Sequence, residues 1–299
     1  MASYSAYGLT FSSSLPMPEL LASSPEGTTD VEIALAPAAN PTSADTSAIR
    51  CVSASSSKVH LSWGSVGDLI VEGGHFISVV PAPDASVDTL GLFVAGAGLG
   101  VLLHQRGLLV LHGSGVQIGD RTVGFLGGKG WGKSTTAMAL GQRGHLVVSD
   151  EHLAIRLNED GQPVVLPGSS PVKLWADALS SLGGVPEDSV PVRAGLNKYY
   201  ASPPAASGQS STLDQLYLLD VGEQLAIERV PPAKAFFGVV PHLYICRFGT
   251  SFLQATGASE SFNRLSALIS KMPVCRLVRR PDLTQLSEMA RLIESHNGR

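Results

Sequence analysis

Residues 124 to 140 read GFLGGKGWGKSTTAMAL, and within them Gly127, four further residues and then Gly132-Lys133-Ser134 fit the pattern G-x-x-x-x-G-K-[ST] with no mismatch. Residue types at this spacing suit the binding of a phosphate chain. Glycines at 127, 128, 130 and 132 carry no β-carbon, so backbone N–H groups can turn inward toward anionic oxygens. Lys133 would neutralise the outer phosphates, and the Ser134 hydroxyl would hold a Mg²⁺. The stretch Gly127, Gly128, Lys129, Gly130, Trp131, Gly132, Lys133, Ser134 and Thr135 is therefore the expected nucleotide-binding loop, with ATP and Mg²⁺ as its cofactors. A second candidate feature follows at Asp150-Glu151. Phosphate would repel two neighbouring carboxylates unless a metal or a proton transfer made use of them.

Such groups need elements that bring them together. Thr122 to Phe125 is a β-prone run, and an alanine-rich helix pattern follows the loop, ending near Gly141 or Gly144 where a C-terminal glycine is expected. The run HLVVS reads as the next strand. If it lies parallel to the strand before the loop, through a right-handed crossover, Asp150 and Glu151 arrive at the same sheet edge as the loop. Upstream, LLVLHGSGVQIGDRTVGFLGG reads as a β-hairpin turning at Gly119-Asp120, a glycine-first order that favours the II′ type. Pairing Ile118 with Arg121 then sets His112 opposite Gly127, unless a bulge at Gly113 or Gly115 shifts the register.

The remaining sequence bounds the class. A chain of 299 residues allows one large or two modest domains, divided here into residues 1–85, a small β-rich domain, and residues 86–299, which carry the glycine loop. The first domain is expected to use YSAYGLTF, VEIALA, KVHLSW, DLIVEG and HFISVV as strands, with residues 37–57 as a flexible Ala/Ser/Thr/Pro loop. Residues 89–105 are apolar, but only fifteen residues separate Asp88 from His104, which predicts a buried core helix and no membrane partner. A net charge of −4 without a Lys/Arg cluster argues against nucleic acid. Three widely spaced cysteines with no C-x-x-C pair, and no basic-plus-apolar leader in the first thirty residues, predict reduced thiols in a cytoplasmic protein. Farther on, KLWADALSSLG reads as a helix, and LDQLYLLD with LAIERV as a hairpin turning at Gly222. NRLSALISKM and DLTQLSEMARLIESH read as helices and VCRLVRR as a strand. The Pro/Gly-rich connection from 183 to 210 carries Arg193 and Lys198, each either a contact for phosphate or substrate carboxylate or a solvated charge.

The string from His112 to Ile155 resembles the bacterial HPr kinase/phosphorylase family, and more closely its shorter relatives that occur as serine kinases in peptide biosynthesis clusters such as those for lasso peptides. The resemblance rests on Leu111-His112-Gly113-Ser114, GGKGWGKS, Arg143-Gly144-His145, LVVS and Asp150-Glu151, and extends to AYGLTF, LLHQRGLLVLH and VLPGSSPVKLWADAL. It implies an α/β fold with α+β elements, in which a P-loop, HPr-kinase-like C-terminal domain follows the small β-rich N-terminal domain. By this resemblance Asp150 is the base that takes the proton from an attacking serine, Ser134 and Glu151 place Mg²⁺, His112 supports Asp150 or the transferred phosphate, and Lys133 completes the catalytic set. The implied partner is a peptide or small protein with an acceptor serine, by this resemblance a ribosomal precursor peptide of the lasso type, with a homo-oligomer left open. A free amino acid as acceptor, or a nucleotide-binding accessory or sensor protein without transfer, are the competing expectations. Gly128 and Lys129 stand where the family usually shows an acidic residue and Ser, and Glu151 where it shows Asp. Lys129 either adds charge at the outer phosphate or points to solvent.

Overall fold

Period-two alternation of apolar and polar residues writes most of the N-terminal strands, and the computed structural model, which describes residues 1–24, 27–168, 171–206 and 208–298, contains them in one eight-stranded sheet. The strands are β1 (Ala2–Ala6), β2 (Leu9–Ser13), β3 (Leu21–Ala22), β4 (Val31–Leu35), β5 (Arg50–Ala54), β6 (Lys58–Trp63), β7 (Gly67–Glu72) and β8 (Phe76–Pro81). Their order is β3-β1-β2-β4-β8-β7-β6-β5. YSAYGLTF, expected as one strand, is a hairpin. Tyr7 at φ 56° and Gly8 at φ 69° both take left-handed backbone, the requirement of a tight I′ turn, and Ala6 pairs with Leu9. The expected loop at 37–57 contains β5, an edge strand paired with β6 alone.

The apolar stretch after this sheet forms α1 (Val87–Phe93), one π-helical turn (Val94–Gly98) and α2 (Leu99–Gln105). Ser86 caps it, its hydroxyl accepting from the Thr89 amide at 3.3 Å. At 19 residues this helix has the length and apolar composition to cross a membrane, and 72% of its most apolar window is buried against the protein itself. It packs on β7 and β8. Residues Met1–Val110 together with Leu243–Arg264 form one compact unit, so residues 86–110 group with the N-terminal sheet.

Leu111–His242 and Leu265–Arg299 form the second unit, of mixed α/β architecture. Its elements begin with β9 (Leu109–Ile118), β10 (Arg121–Leu126), α3 (Lys133–Gly141), β11 (Leu146–Ser149), β12 (His152–Leu157), β13 (Pro163–Leu166), β14 (Val172–Trp175) and α4 (Ala176–Ser181). They continue with β15 (Lys198–Ala201), β16 (Ser211–Val221), β17 (Ala226–Val230) and α5 (Pro232–Val239); after α6 (Thr250–Ala255), which belongs to the first unit, and α7 (Ala258–Lys271), whose residues up to Arg264 do, come β18 (Val274–Arg279) and α8 (Leu286–His296). The sheet runs β10-β9-β12-β13-β16-β18-β17, with β11 also on β9, and β10 pairs a second time with β16 so that five strands close a ring. Two local expectations are corrected. β16 and β17 do not pair with each other: β18, parallel to β16 and antiparallel to β17, lies between them. A strand from far along the chain that buries Val274, Cys275 and Leu277 displaces the hairpin that sequence proximity favours. Lys173, Leu174 and Trp175, expected in a helix, belong to β14, whose alternating Val172 and Leu174 enter the core while the helix starts at Ala176.

The core around Phe125 and Tyr217, stacked at 5.4 Å between centroids, holds α3 and α8 against this sheet. Arg143 and His145 serve that packing: the guanidinium donates twice to Glu294 of α8 at 2.7 Å, and His145 Nε2 lies 2.8 Å from the same carboxylate. The Arg-Gly-His string is thus a clamp between helices. Burial pushes the Tyr217 phenol up to about 12, and its oxygen receives Asn297 Nδ2 at 2.8 Å and lies 2.8 Å from His296 Nδ1. Tyr217→Phe keeps the ring stack but strips both groups of a partner, and is expected to lower stability by about 1–3 kcal/mol. A urea titration in which the midpoint stays at the wild-type value would contradict this.

Candidate active site

β10 ends at Leu126 and α3 begins at Lys133, so the glycine loop sits between strand and helix at the residues expected. Gly130 (φ 81°) and Gly132 (φ 80°) take left-handed backbone, and a β-carbon on Gly132 would come within 2.8 Å of Arg279 Nη2. No side chain caps α3, and the first-turn amides of a helix have no intrahelical acceptor. They face the loop with the positive end of the helix dipole. Lys133 is only 8% exposed, and its ammonium folds back to donate to the carbonyls of Gly127 at 2.9 Å and Gly128 at 3.1 Å. Arg279, at the end of β18, donates to the Trp131 carbonyl and fixes the outer side of the loop.

The carboxylates arrive by strand geometry. β10 and β11 are both antiparallel to β9, with Gln117 opposite Thr122 on one side and Leu146 on the other, so they run in the same direction with β9 between them. The hairpin register is the expected one, Arg121 on Ile118, with Gly119 at φ 61°; the bulge falls in β11 between Val147 and Ser149. One step beyond the last pair, Leu126 with Gly113, His112 comes level with Gly127. Close approach needs small residues here: Gly115 faces Gly124, and Leu153 fills the space where either β-carbon would stand.

Asp150 is 3% exposed. Burial of a carboxylate requires donors, and two serines supply them: Ser114 Oγ at 2.6 Å from Oδ1, and Ser134 Oγ at 3.0 and 2.9 Å from the two oxygens. Glu151 departs in another direction. Its backbone is left-handed, φ 75°, a conformation that costs a non-glycine residue about 1–3 kcal/mol. Its carbonyl accepts from His112 Nδ1 at 3.2 Å, and its carboxylate lies 3.7 Å from His112 Nδ1 and 3.9 Å from Lys173 Nζ. His112 and Ser114, two apart on one face of β9, thus reach the two successive acidic residues.

Charge accumulates around this point. Burial, then the like charge of Lys173, hold the Lys198 ammonium below the usual lysine range, while Glu151 and Asp150 act in the opposite sense. Burial, then the Lys133 ammonium, push the His242 imidazole down to about 4.

Of the residues singled out from sequence, Lys133 bonds Gly127 and Gly128, the adjacent Ser134 bonds Asp150, and His112 joins Glu151. Lys129, Gly130 and Trp131 form the exposed crest of the loop, and Thr135 is buried in the first turn of α3. Lys198 lies 5.7 Å from the centre of the Trp175 ring, and Arg193 stands half-buried in the segment before β15. Of VLPGSSPVKLWADAL, Ser169 and Ser170 lie outside the described residues. Ser114, Lys173, His242 and Arg279 were not singled out as site residues. Only Ser114 carries a sequence signal, its spacing of two from His112 on a strand; the others arrive by long-range packing. Among the described residues no group of three or more His, Cys, Asp or Glu could hold a metal. The oxygens of Ser134 and Asp150 nevertheless fit Mg²⁺, which takes one or two carboxylates and completes its shell with water and phosphate.

No family model matches the chain, and no curated protein matches it. Among solved structures it is similar to the HPr(Ser) kinase/phosphatase from Coxiella burnetii, with a TM-score of 0.33 and 13% identity, over 63% of this chain and 95% of that one. A likeness at this level assigns neither family nor activity.

The His242 shift carries a pH dependence. With its pKa near 4 in the folded chain against an ordinary 6.5, the unfolded chain takes up the proton first as pH falls. The stability tied to the neutral imidazole is complete above about 6.5 and declines toward pH 4. His242→Gln, which cannot protonate there, is expected to flatten this decline, read by circular dichroism across the same pH range; identical profiles for variant and wild type would count against it.

Proposed function

We propose that this chain is an ATP-dependent kinase that transfers phosphate to a hydroxyl, with a serine of a peptide or small protein as acceptor and a ribosomal precursor peptide of the lasso type as the first substrate to test. The observation that carries this reading is the buried Asp150 carboxylate bound by Ser134 at the foot of the glycine loop. A polyphosphate held by the loop amides and Lys133 would end beside that carboxylate. A serine hydroxyl is a poor nucleophile at neutral pH, so a positioned base and strict alignment supply the acceleration. The acceptor oxygen forms a bond to the terminal phosphorus, its proton passes to a carboxylate, the bond from that phosphorus to the bridging oxygen breaks, and ADP leaves. Mg²⁺ when bound would offset charge on the outer phosphates.

Two assignments of the carboxylates are consistent with this chemistry. In the first, Asp150 is the base and Glu151 helps Ser134 hold Mg²⁺. The contact of Ser134 with both Asp150 oxygens favours the second, because phosphate-loop enzymes hold Mg²⁺ between the loop Ser/Thr and an Asp at a neighbouring strand end. Asp150 then binds metal, while Glu151, paired with His112, takes the proton.

Incubation of the protein with labelled ATP, Mg²⁺ and peptides ending in serine is expected to label peptide. Label on free serine would redirect the reading to a small-molecule kinase, and nucleotide binding without transfer would support a sensor. Asp150→Asn is expected to slow transfer by about 10²–10⁴-fold. If Asp150 binds metal, that variant also loses the Mg²⁺ enhancement of ATP affinity, whereas Glu151→Gln keeps it. Wild-type transfer by both variants would remove the carboxylates from the reaction.

A further inference from the structure

A cleft of about 280 Å³ opens against the outer side of the glycine loop, bounded among others by Trp131, Gly132, Thr135, Trp175, Arg279 and Leu286. Two of the chain's three tryptophans therefore line one small space, and both are unusually open, Trp131 at 40% and Trp175 at 43% exposure. Indole surface left in water forgoes a large burial gain, so two such rings around one cleft mark a place that a flat apolar group would cover.

Both rings are held in place. The Trp131 carbonyl accepts from Arg279, and its indole edge packs so closely on Gly128 that a β-carbon there would lie 2.9 Å from Nε1. Trp175 is fixed by the pairing of β14 with β15, where it stands opposite Lys198, whose ammonium lies 5.7 Å from the ring centre. The cleft also runs directly onto the first turn of α3 through Gly132 and Thr135. A ligand with a flat aromatic head and a polyphosphate tail would span both features without a gap, and the volume suits a small-molecule head group.

We propose that this cleft is the base subsite of the nucleotide, with the nucleobase stacked on the Trp131 and Trp175 rings. The assignment rests on the reading of the loop as a phosphate cradle and adds what that reading lacks, a means of distinguishing a nucleoside triphosphate from a bare polyphosphate. Stacking on an aromatic side chain corresponds to about 5- to 150-fold in affinity per base.

Calorimetry on the full chain with Mg²⁺ compares ATP with inorganic tripolyphosphate, while tryptophan fluorescence follows the rings. Both ligands are expected to bind, ATP more tightly, and ATP to change the tryptophan emission more strongly. Trp175→Leu, outside the loop, is expected to lower ATP affinity by about 5- to 150-fold and leave tripolyphosphate affinity as it was, which also shows that the variant is folded. Trp131→Leu, which lies in the loop itself, serves as the second variant and is expected to lower ATP affinity in the same range. An ATP preference that survives both substitutions overturns the base subsite and spares the phosphate cradle. Failure of wild-type protein to bind either ligand overturns both.

Discussion

A carboxylate buried to 3% exposure and held by two serine hydroxyls is the constraint on which the second unit turns. Ser114 comes from β9 and Ser134 from the first turn of α3, so the Asp150 side chain joins sheet and helix at a single point. Leaving such a group unsatisfied costs several kcal/mol by the usual measure of a buried charge without partners, so register and helix position are fixed together. A slip of one residue in β9 would turn Ser114 to the opposite face and take His112 away from Glu151. The facing glycines 115 and 124, with Leu153 over them, hold that register from the apolar side.

The β14–β15 ribbon extends the same logic. Val172 and Leu174 enter the core, with Tyr199 and Ala201 packed against it, so period two places Lys173, Trp175, Lys198 and Tyr200 together on the other face. One end of that face brings Lys173 to Glu151, and Trp175 lines the cleft beside the loop. The like charge of Lys173 bears on the Lys198 ammonium, and Glu151 and Asp150 offset it. Left-handed backbone at Glu151 is part of the arrangement, because it separates two consecutive carboxylates that would otherwise compete for one location.

Features encoded over a few neighbouring residues were legible in the sequence itself: the loop glycines, the alanine-rich helix behind them, and the hairpin of β9 and β10 turning at Gly119-Asp120. Each is decided by local sterics or by a short period, so a single chain suffices to state it. Tertiary structure decided the rest. The Tyr7-Gly8 turn split a strand because two successive residues adopt left-handed backbone, and β18 displaced a hairpin between β16 and β17 by pairing with both strands and burying Val274, Cys275 and Leu277. The Arg-Gly-His string became a helix clamp only once α8 brought Glu294 to it. Chemistry-bearing types at close spacing thus fixed where a phosphate chain would be cradled, whereas the surroundings of Asp150, the partners of Glu151 and the tryptophan cleft depend on residues tens to more than a hundred positions apart, whose approach follows from packing and not from any local period.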